Sequence, residues 1–413
     1  MNLAVLSVLA LALAVIVSCV SRLNVGVLAV ALAWIVGVYI GGLPVAAVMA
    51  GFPSQLFLTL AGVTLLFALA QSNGTLDRLT HHAVRVCRGN CGAIPVMFFV
   101  LGASLASMGP GNIATAALVA PIAMSTAAKT GIPLFLMAIM VGNGANAGAL
   151  SPFAPTGIIV NGLMARSGLP GLELPTYLYN VAAHATVAFG GYFLFGGLKL
   201  FTKGSAATDA AGLDDHPGAF ELRHWITLGV IAALIASVIF AEVNVGMGAF
   251  LGSVILVLSG SADDGEAIKR MPWRVIVMVC GVTVLIALVE RAQGIDLMVS
   301  LVTRVATADT VTAVVAFLTG IVSVYSSTSG VVLPAFLPMV PGLAEQLPGA
   351  SPIAIAASMN VGGHLVDVSP LSTIGALCIA AAAAEESRAL FNKLLAWGLS
   401  MCVVGALMCY LVF

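Results

Sequence analysis

Charged residues are scarce in this sequence. Of its 413 residues, only 16 are Lys or Arg and 17 are Asp or Glu, together 8% of the chain. Soluble domains carry about a quarter of their residues as charges. A chain this long with so few charges is excluded as a soluble globular protein, because it lacks the polar surface that water requires. The net charge of −1 provides no basic surface, so we expect no nucleic-acid partner.

Signatures of disulfide and catalytic chemistry are also missing. The seven Cys are odd in number and lie mostly inside apolar stretches, which is no disulfide framework. No H-E-x-x-H, P-loop or nucleophile-elbow motif occurs, so we expect neither an enzyme nor a bound cofactor. His81 and His82 with Cys87 and Cys91 suggest zinc, but their spacing fits no common site. A basic amphipathic segment at the membrane surface over residues 75–90 is the favoured interpretation.

Long apolar stretches are abundant instead. Apolar residues make up 60% of the chain and do not alternate with period two, which predicts membrane-crossing helices rather than a barrel. The first stretch has no basic segment before it and no cleavage pattern after it, so we interpret it as a membrane helix. The predicted spans are Leu3–Val20, Val25–Ile40, Gln55–Ala70, Ile132–Met164, Tyr177–Leu200, Trp225–Ala241, Val245–Leu258, Trp273–Val289, Ile353–Ala382 and Leu390–Leu411.

Four apolar regions contain interruptions. Ile132–Met164 and Ile353–Ala382 are long and rich in Gly and Pro, so each is predicted to be a helix broken into two halves. Ile94–Ala128 and Thr310–Glu345 are split by small polar residues and could form two spans each or one re-entrant hairpin each. Hairpins are favoured, because the polar breaks at Met108–Asn112 and Ser326–Gly330 suit irregular backbone that lines a protein cavity.

The basic residues indicate an orientation. With an outside N-terminus and two hairpins, only Arg166, Arg291 and Arg304 lie outside. This strong excess on one side predicts an inner (plasma) membrane protein with both termini outside. The basic residues predicted to be cytoplasmic are Arg22, Arg78, Arg85, Arg88, Lys129, Lys199, Lys203, Arg223, Lys269, Arg270, Arg274, Arg388 and Lys393.

The two halves of the chain repeat one pattern. The heptapeptide SPFAPTG beginning at Ser151 recurs in the second half as SPLSTIG beginning at Ser369. Five spans and one hairpin per half place the second copy upside down, which predicts an inverted repeat. The first repeat covers residues 1–203, a polar linker covers 204–223, and the second repeat covers 224–413. The predicted scaffold helices lie within 3–72 and 225–289, with hairpins at 94–128 and 310–345, broken helices at 132–164 and 353–382, and final helices at 177–200 and 390–411.

Polar side chains inside the predicted spans mark the candidate site. Such groups are expensive in a membrane, and they occur here at corresponding places in both halves. A hairpin tip offers free N–H groups to an anion, and helix breaks offer carbonyl groups to a cation. Candidates for binding the substrate are Asn112, Thr115, Ser151, Thr156, Ser327, Thr328, Ser329, His364, Ser369, Ser372 and Thr373. Candidates for Na⁺ or proton coupling are Asn112, Asn143, Asn146, Ser329, Asn360 and Asp367.

Two ionisable residues inside the predicted spans are interpreted separately. Asp367 is the one carboxylate deep in an interrupted span, and it is either a cation or proton ligand or a cap of the half-helix beginning near Ser369. His184 is interpreted as a hydrogen-bond donor between packed helices.

The absence of Lys and Arg from the predicted midplane bears on the energetics. Moving a dianion inward against about 100 mV costs about 2.3 kcal/mol for each charge. No protein cation at that depth cancels the charge. We therefore expect at least two co-transported cations, Na⁺ or H⁺, for each dianion.

Two motifs resemble those of a known family. Residues 112–121 (NIATAALVAP) are similar to the S-N-T-A-T-A-x-x-x-x-P hairpin motif of divalent anion:sodium symporters in the ion transporter superfamily. Residues 362–378 (GGHLVDVSPLSTIGALC) resemble malonate-type, MatC-like dicarboxylate carriers. The resemblance implies a homodimer that works as an elevator, with the hairpins, 132–200 and 353–411 moving against the scaffold.

The same resemblance implies roles for particular residues. Asn112 would contact both a substrate carboxylate and Na⁺, and residues 327–329 occupy the S-N-T positions of the second motif. Gly111 and Ile113 replace the first motif's Ser and Thr, and Thr328 replaces the second motif's Asn. These departures leave Na⁺ and H⁺ both open as coupling ions.

The expected function is import of a C3–C4 dicarboxylate coupled to Na⁺ or H⁺. Alternatives are the membrane subunit of a binding-protein-dependent (TRAP-type) transporter, and an anion exporter or cation antiporter of the same superfamily. A channel and an intramembrane enzyme are less favoured.

Overall fold

The protein is an all-helical, multi-pass membrane protein. The computed structural model describes residues 2–21, 23–86, 90–201, 219–382 and 384–413, and within these every regular element is a helix. The predicted all-α class is thereby confirmed. The predicted linker up to residue 218 and Cys87 lie outside the described residues. In the described part, six segments are long and apolar enough to cross a membrane: Ser54–Ser72, Gly111–Thr130, Trp273–Arg291, Thr328–Gln346, Pro352–Ala380 and Glu385–Val412.

The described part of the first half contains ten α-helices. Two short turns extend it, a π-helical turn at Ile35–Ile40 after α2 and a 3₁₀ turn at Gly197–Leu200 after α10. The helices are α1 Leu3–Val20, α2 Val25–Trp34, α3 Val45–Met49, α4 Ser54–Ser72, α5 Thr75–Val86, α6 Ala93–Met108, α7 Gly111–Thr130, α8 Leu134–Ala147, α9 Pro155–Arg166 and α10 Glu173–Leu194.

The second half contains the remaining helices. They are α11 Leu222–Ala241, α12 Val245–Leu258, α13 Asp264–Arg270, α14 Trp273–Arg291, α15 Gly294–Thr303, α16 Val311–Tyr325, α17 Leu333–Phe336, α18 Val340–Gln346, α19 Pro352–Leu365, α20 Thr373–Ala380 and α21 Ala384–Val412. A π-helical turn, Thr328–Val332, precedes α17, and 3₁₀ turns occur at Leu337–Met339 and Val366–Val368.

Helices recur in the same order and at a nearly constant separation in both halves. Helix α4, which begins at Ser54, corresponds to α14, which begins at Trp273, and α8 at Leu134 corresponds to α19 at Pro352. Even the short helix α3 has a counterpart, because α13 follows it at the same separation along the chain. Local capping recurs as well: the Asn24 side chain accepts a hydrogen bond from the Gly26 N–H, and the Asn244 side chain accepts one from the Gly246 N–H, both at 3.0 Å.

Four glycines allow helices from opposite halves to cross at close range. A Cβ at Gly281 of α14 would overlap the carbonyl of Gly26 in α2. A Cβ at Gly62 of α4 would likewise overlap the carbonyl of Gly246 in α12. Only glycine permits backbones to approach so closely, and such contacts are common between membrane helices. Each crossing therefore joins one helix of the first half to one helix of the second half.

Two helical pairs bear the polar breaks. In the first pair, α6 ends at Met108, Gly109 takes a φ of 137°, and α7 begins at Gly111. We call residues 109–112 the first turn. In the second pair, α16 ends at Tyr325, and residues 326–330 form what we call the second turn.

The second pair is less regular than the sequence suggests. Its returning arm changes between π, α and 3₁₀ geometry three times between Thr328 and Gln346. Pro334, Pro338 and Pro341 explain this irregularity, because each removes a backbone N–H from the helix. Helix α7, with Pro121 alone in its interior, stays continuous.

The repeated SP…G motifs lie where two helices are interrupted. The segment between α8 and α9 contains Ser151, and the segment between α19 and α20 contains Ser369. A Cβ at Gly157 would overlap the Ser151 carbonyl, and a Cβ at Gly375 would overlap the Ser369 carbonyl. The motif's glycine is thus required because the serine carbonyl folds back onto the first turn of the next helix.

Candidate functional site

One cavity brings together the two turns and the second helix break. Its volume is about 490 Å³, and it reaches the surface. The polar or charged residues that line it are Ser21, Asn24, Asn112, Arg274, Tyr325, Ser326, Ser327, Thr328, Ser329, His364, Asp367, Ser372 and Thr373. Eight predicted site residues therefore share this cavity: Asn112, Ser327, Thr328, Ser329, His364, Asp367, Ser372 and Thr373.

Asn112 joins the first turn to the interrupted helix α8. Its Nδ2 donates to Oδ1 of Asn146 over 2.8 Å, and its own Oδ1 accepts from the Ile113 N–H over 3.0 Å. Asn180 of α10 supports the end of α8 by donating to the carbonyls of Asn146 at 2.8 Å and Ala147 at 3.1 Å. The first half therefore provides a network of neutral amides that begins with Asn112 at the cavity wall and continues through the buried Asn146 and Asn180.

The corresponding network of the second half contains a carboxylate. Thr328 Oγ1 donates to Asp367 Oδ1 over 2.8 Å and is also hydrogen-bonded to Ser323. A hydroxyl has one proton, so Thr328 donates to Asp367 and accepts from Ser323. This chain ties the second turn to the break that follows α19.

The structure separates the two interpretations of Asp367. Helix α20 begins at Thr373, and its N-cap residue is Ser372. The Asp367 side chain bonds to Thr328 and does not cap α20, while Ser372 Oγ donates to the Asp367 backbone carbonyl. The capping interpretation is therefore wrong, because Asp367 lies one turn too early and faces the second turn.

His364 lies at the wall of the cavity. Its Nδ1 is 2.9 Å from the Asn360 carbonyl, and its buried Nε2 has no hydrogen-bond partner. A neutral imidazole that donates from Nδ1 presents Nε2 as an acceptor. In this structure the Nε2 acceptor is enclosed, although the residue itself lines the cavity.

Other predicted site residues lie outside the 490 Å³ cavity. Thr156 lines a smaller cavity of about 260 Å³, which shares Asn112 and Ser329 with the larger one. Ser151 Oγ donates to the Ser107 carbonyl at 2.7 Å, and Ser369 Oγ accepts from the Leu371 N–H at 3.2 Å. Both serines therefore hold the helix breaks in shape.

The remaining candidates are buried in the packed helices behind the cavity. Asn143 is hydrogen-bonded to His184 Nδ1 of α10 at 2.9 Å, so His184 does link packed helices as its sequence context suggests. Thr115 Oγ1 and both amide atoms of Asn360 are buried without a partner. The Asn360 oxygen is of the type that hard cations prefer. Among the described residues, no group of three or more His, Cys, Asp or Glu is arranged to hold a metal ion.

Sequence reasoning missed the far wall of the cavity. Asn24, Arg274 and Met278 belong to the loop before α2 and to helix α14, and they face the two turns. Their positions carry no local signal of a site, since each lies at the end or in the apolar face of an ordinary span. Arg274 is the single Lys or Arg that lines this cavity in the described part of the chain.

The sequence and the fold are similar to those of known carrier and transporter proteins. Residues 1–149 match the family model described as "Dicarboxylate carrier protein MatC N-terminus", which confirms the resemblance recognised in the sequence. The fold is similar to the crystal structure of the Alcanivorax borkumensis YdaH transporter, with a TM-score of 0.59 and 15% sequence identity over 88% of this chain and 86% of that one. No curated protein matches the sequence. The family model is described as that of a carrier, and the structure with the similar fold is described as a transporter.

Proposed function

We propose that this protein is a secondary active transporter that imports a C3–C4 dicarboxylate, such as malonate, succinate or malate, together with Na⁺ or H⁺. The observation that carries the proposal is the cavity in which both turns meet, lined by hydroxyl and amide groups with one carboxylate. A volume of about 490 Å³ accommodates a small dianion with water or cations. The family model over residues 1–149 supports the same substrate class.

The substrate would bind between the two turns. Helix α7 begins at the first turn, and its free N–H groups and partial positive charge favour a carboxylate. Ser327 and Ser329 of the second turn, with Thr373 at the start of α20, supply hydroxyl groups on the opposite side. These donors suit the two ends of a short dicarboxylate.

The coupling cations would bind beside the substrate. In the second half, Asp367 supplies the one negative charge among the described lining residues, already oriented by Thr328. In the first half, the neutral amides of Asn112 and Asn146 offer oxygen ligands. Inward movement of a dianion costs about 2.3 kcal/mol per charge at about 100 mV, so two monovalent cations would cancel this cost and a third would reverse its sign.

An inverted repeat would give the protein its two facing states. The proposal is supported by the matching order of helices and by the reciprocal crossings, Gly26 with Gly281 and Gly62 with Gly246. By the family resemblance, the helical pairs are re-entrant hairpins that move with 132–200 and 353–411. The scaffold helices within 3–72 and 225–289 would remain fixed in a homodimer. The orientation proposed is an inner membrane protein with both termini outside.

Uptake by the purified protein tests this function. Proteoliposomes would be given ¹⁴C-labelled malonate, succinate or malate under an inward Na⁺ gradient, an inward proton gradient, both, or neither. We expect saturable uptake that depends on at least one gradient, while protein-free liposomes show none. Uptake insensitive to both gradients would refute cation coupling. Uptake by this chain alone would also reject the binding-protein-dependent alternative, which requires further subunits.

A panel measurement narrows the substrate. Thermal unfolding of the purified protein would be followed with mono- and dicarboxylates, with and without Na⁺. A ligand that binds the folded state raises the unfolding temperature. Stabilisation by C3–C4 dicarboxylates and not by acetate is the expected result. Equal effects of mono- and dicarboxylates would contradict the assigned substrate class.

A further inference from the structure

Two cavities have scaffold walls that differ in charge. On the 490 Å³ cavity, helix α14 and the loop before α2 contribute Arg274, Met278 and Asn24. A second cavity of about 760 Å³ is lined by Gln55 and Thr59 of α4 and by Asn244 before α12. The two cavities are built from corresponding parts of the two halves.

At corresponding positions of the two cavities, one half has an arginine and the other half has a glutamine. Arg274 is the second residue of α14, and Gln55 is the second residue of its counterpart α4. Met278 and Thr59 correspond in the same register, and Asn24 and Asn244 cap the corresponding helices α2 and α12. Both Arg274 and Gln55 are exposed.

The second cavity also contains a pair of opposite charges. Arg166 and Glu173 line it, as Arg274 and Asp367 line the 490 Å³ cavity, so each cavity has one positive and one negative side chain among the described residues. Arg166 and Glu173 belong to the proposed moving part. The described scaffold residues of the second cavity therefore contribute no charge, whereas those of the 490 Å³ cavity contribute Arg274.

We infer that Arg274 is a fixed anion-attracting residue that makes the carrier bind dicarboxylate more tightly from one face of the membrane. This inference rests on the proposed function. Arg274 belongs to the scaffold, whereas Asn112, Thr328 and Asp367 belong to the proposed moving part. When the moving part turns to the other face, the scaffold residue beside the site is Gln55, which carries no charge.

The physical effect is electrostatic and local. A single cation in a cleft raises the local concentration of an anion, and it acts most strongly on a dianion. Salt weakens such attraction, because the screening length is about 10 Å at about 0.1 M. Dicarboxylate that accumulates on the side of the membrane to which the Arg274 cavity opens would therefore occupy the site more often. This occupancy would slow further uptake.

Sided kinetics test the inference. Right-side-out and inside-out membrane vesicles, preloaded with unlabelled succinate, would be assayed for exchange with ¹⁴C-succinate to obtain a KM from each face. We expect Arg274→Gln to raise the KM from one face about tenfold and to change the other KM less than about twofold. Arg274→Lys keeps the charge and should stay within about threefold of the wild-type KM from both faces.

A gain-of-function variant and a matched control complete the design. Gln55→Arg should lower the KM from the opposite face, and higher KCl should remove the difference between wild type and Arg274→Gln. Lys269→Gln removes a positive charge from neighbouring α13, where Lys269 pairs with Glu266 and lines neither large cavity. It should change neither KM.

The outcomes separate this inference from the proposed function. Equal shifts from both faces, or no shift from either, would overturn the sided role of Arg274 while exchange itself supports the transporter. A charge-independent effect, with Arg274→Lys behaving as Arg274→Gln, would also overturn it. Absence of exchange of both succinate and malonate by the wild-type protein would instead contradict the proposed function. The Arg274 carbonyl, which accepts from Asn24 Nδ2 at 2.9 Å, is retained in every variant.

Discussion

At the scale of single residues, Asn112 connects the cavity to the helix behind it. Asn112→Ala removes the donor to Asn146 and costs roughly 1 kcal/mol of folding stability. We expect it to abolish uptake, because the same amide faces the substrate site, without lowering the amount of folded protein. Uptake and size-exclusion profiles would be compared with Thr186→Ala, whose hydroxyl bonds within its own helix. Near-normal uptake by Asn112→Ala would remove this residue from the site.

Asp367 allows coupling to be separated from substrate binding. Asp367→Asn keeps the oxygen that accepts from Thr328 but loses the negative charge. The variant should lose its response to a Na⁺ or proton gradient, while the KM for dicarboxylate changes less than about threefold. Initial rates across a matrix of pH and Na⁺ concentration provide the measurement. An unchanged response to both gradients would show that Asp367 is not the coupling residue.

At the scale of helices, the SP…G motifs determine the two breaks. Gly157→Ala and Gly375→Ala each place a methyl group against a serine carbonyl, which should cost roughly 1–3 kcal/mol. We expect lower thermal stability and reduced uptake in both variants. Gly190→Ala is the matched control, since a Cβ there has open space and lies within helix α10. Equal thermal stabilities of all three variants would contradict this explanation of the motif.

The sequence predicted the long helices well and missed some short ones, for a physical reason. Hydropathy locates long apolar segments well, so α1, α4 and α14 lie within a few residues of the predicted spans. The short helices α13 and α15 were missed, because such short segments depend on tertiary packing that no local pattern reveals. Of the site, the polar groups inside spans could be predicted, since lipid makes them costly. Arg274 could not, because only tertiary packing brings α14 to the cavity.

At the scale of the whole molecule, transport would require the second turn to move past α14. A Cβ at Gly330 of that turn would overlap the end of the Met278 side chain, so the two positions are in direct contact. A Met278→Cys, Gly330→Cys protein, in a background without native cysteines, should form a crosslink that stops uptake. Reducing agent should restore uptake, and each single-cysteine variant should be insensitive to oxidant. Undiminished uptake by fully crosslinked protein would contradict the elevator.

The reciprocal glycine crossings have a consequence for how such a sequence can change. Gly26 meets Gly281 and Gly62 meets Gly246, so each position faces a partner from the other half of the chain. A side chain gained at any one of the four would force apart two helices that belong to different halves. Glycine must therefore be kept at all four positions as the sequence changes. A chimaera that takes one half from a relative folds only if both halves keep glycine at these crossings.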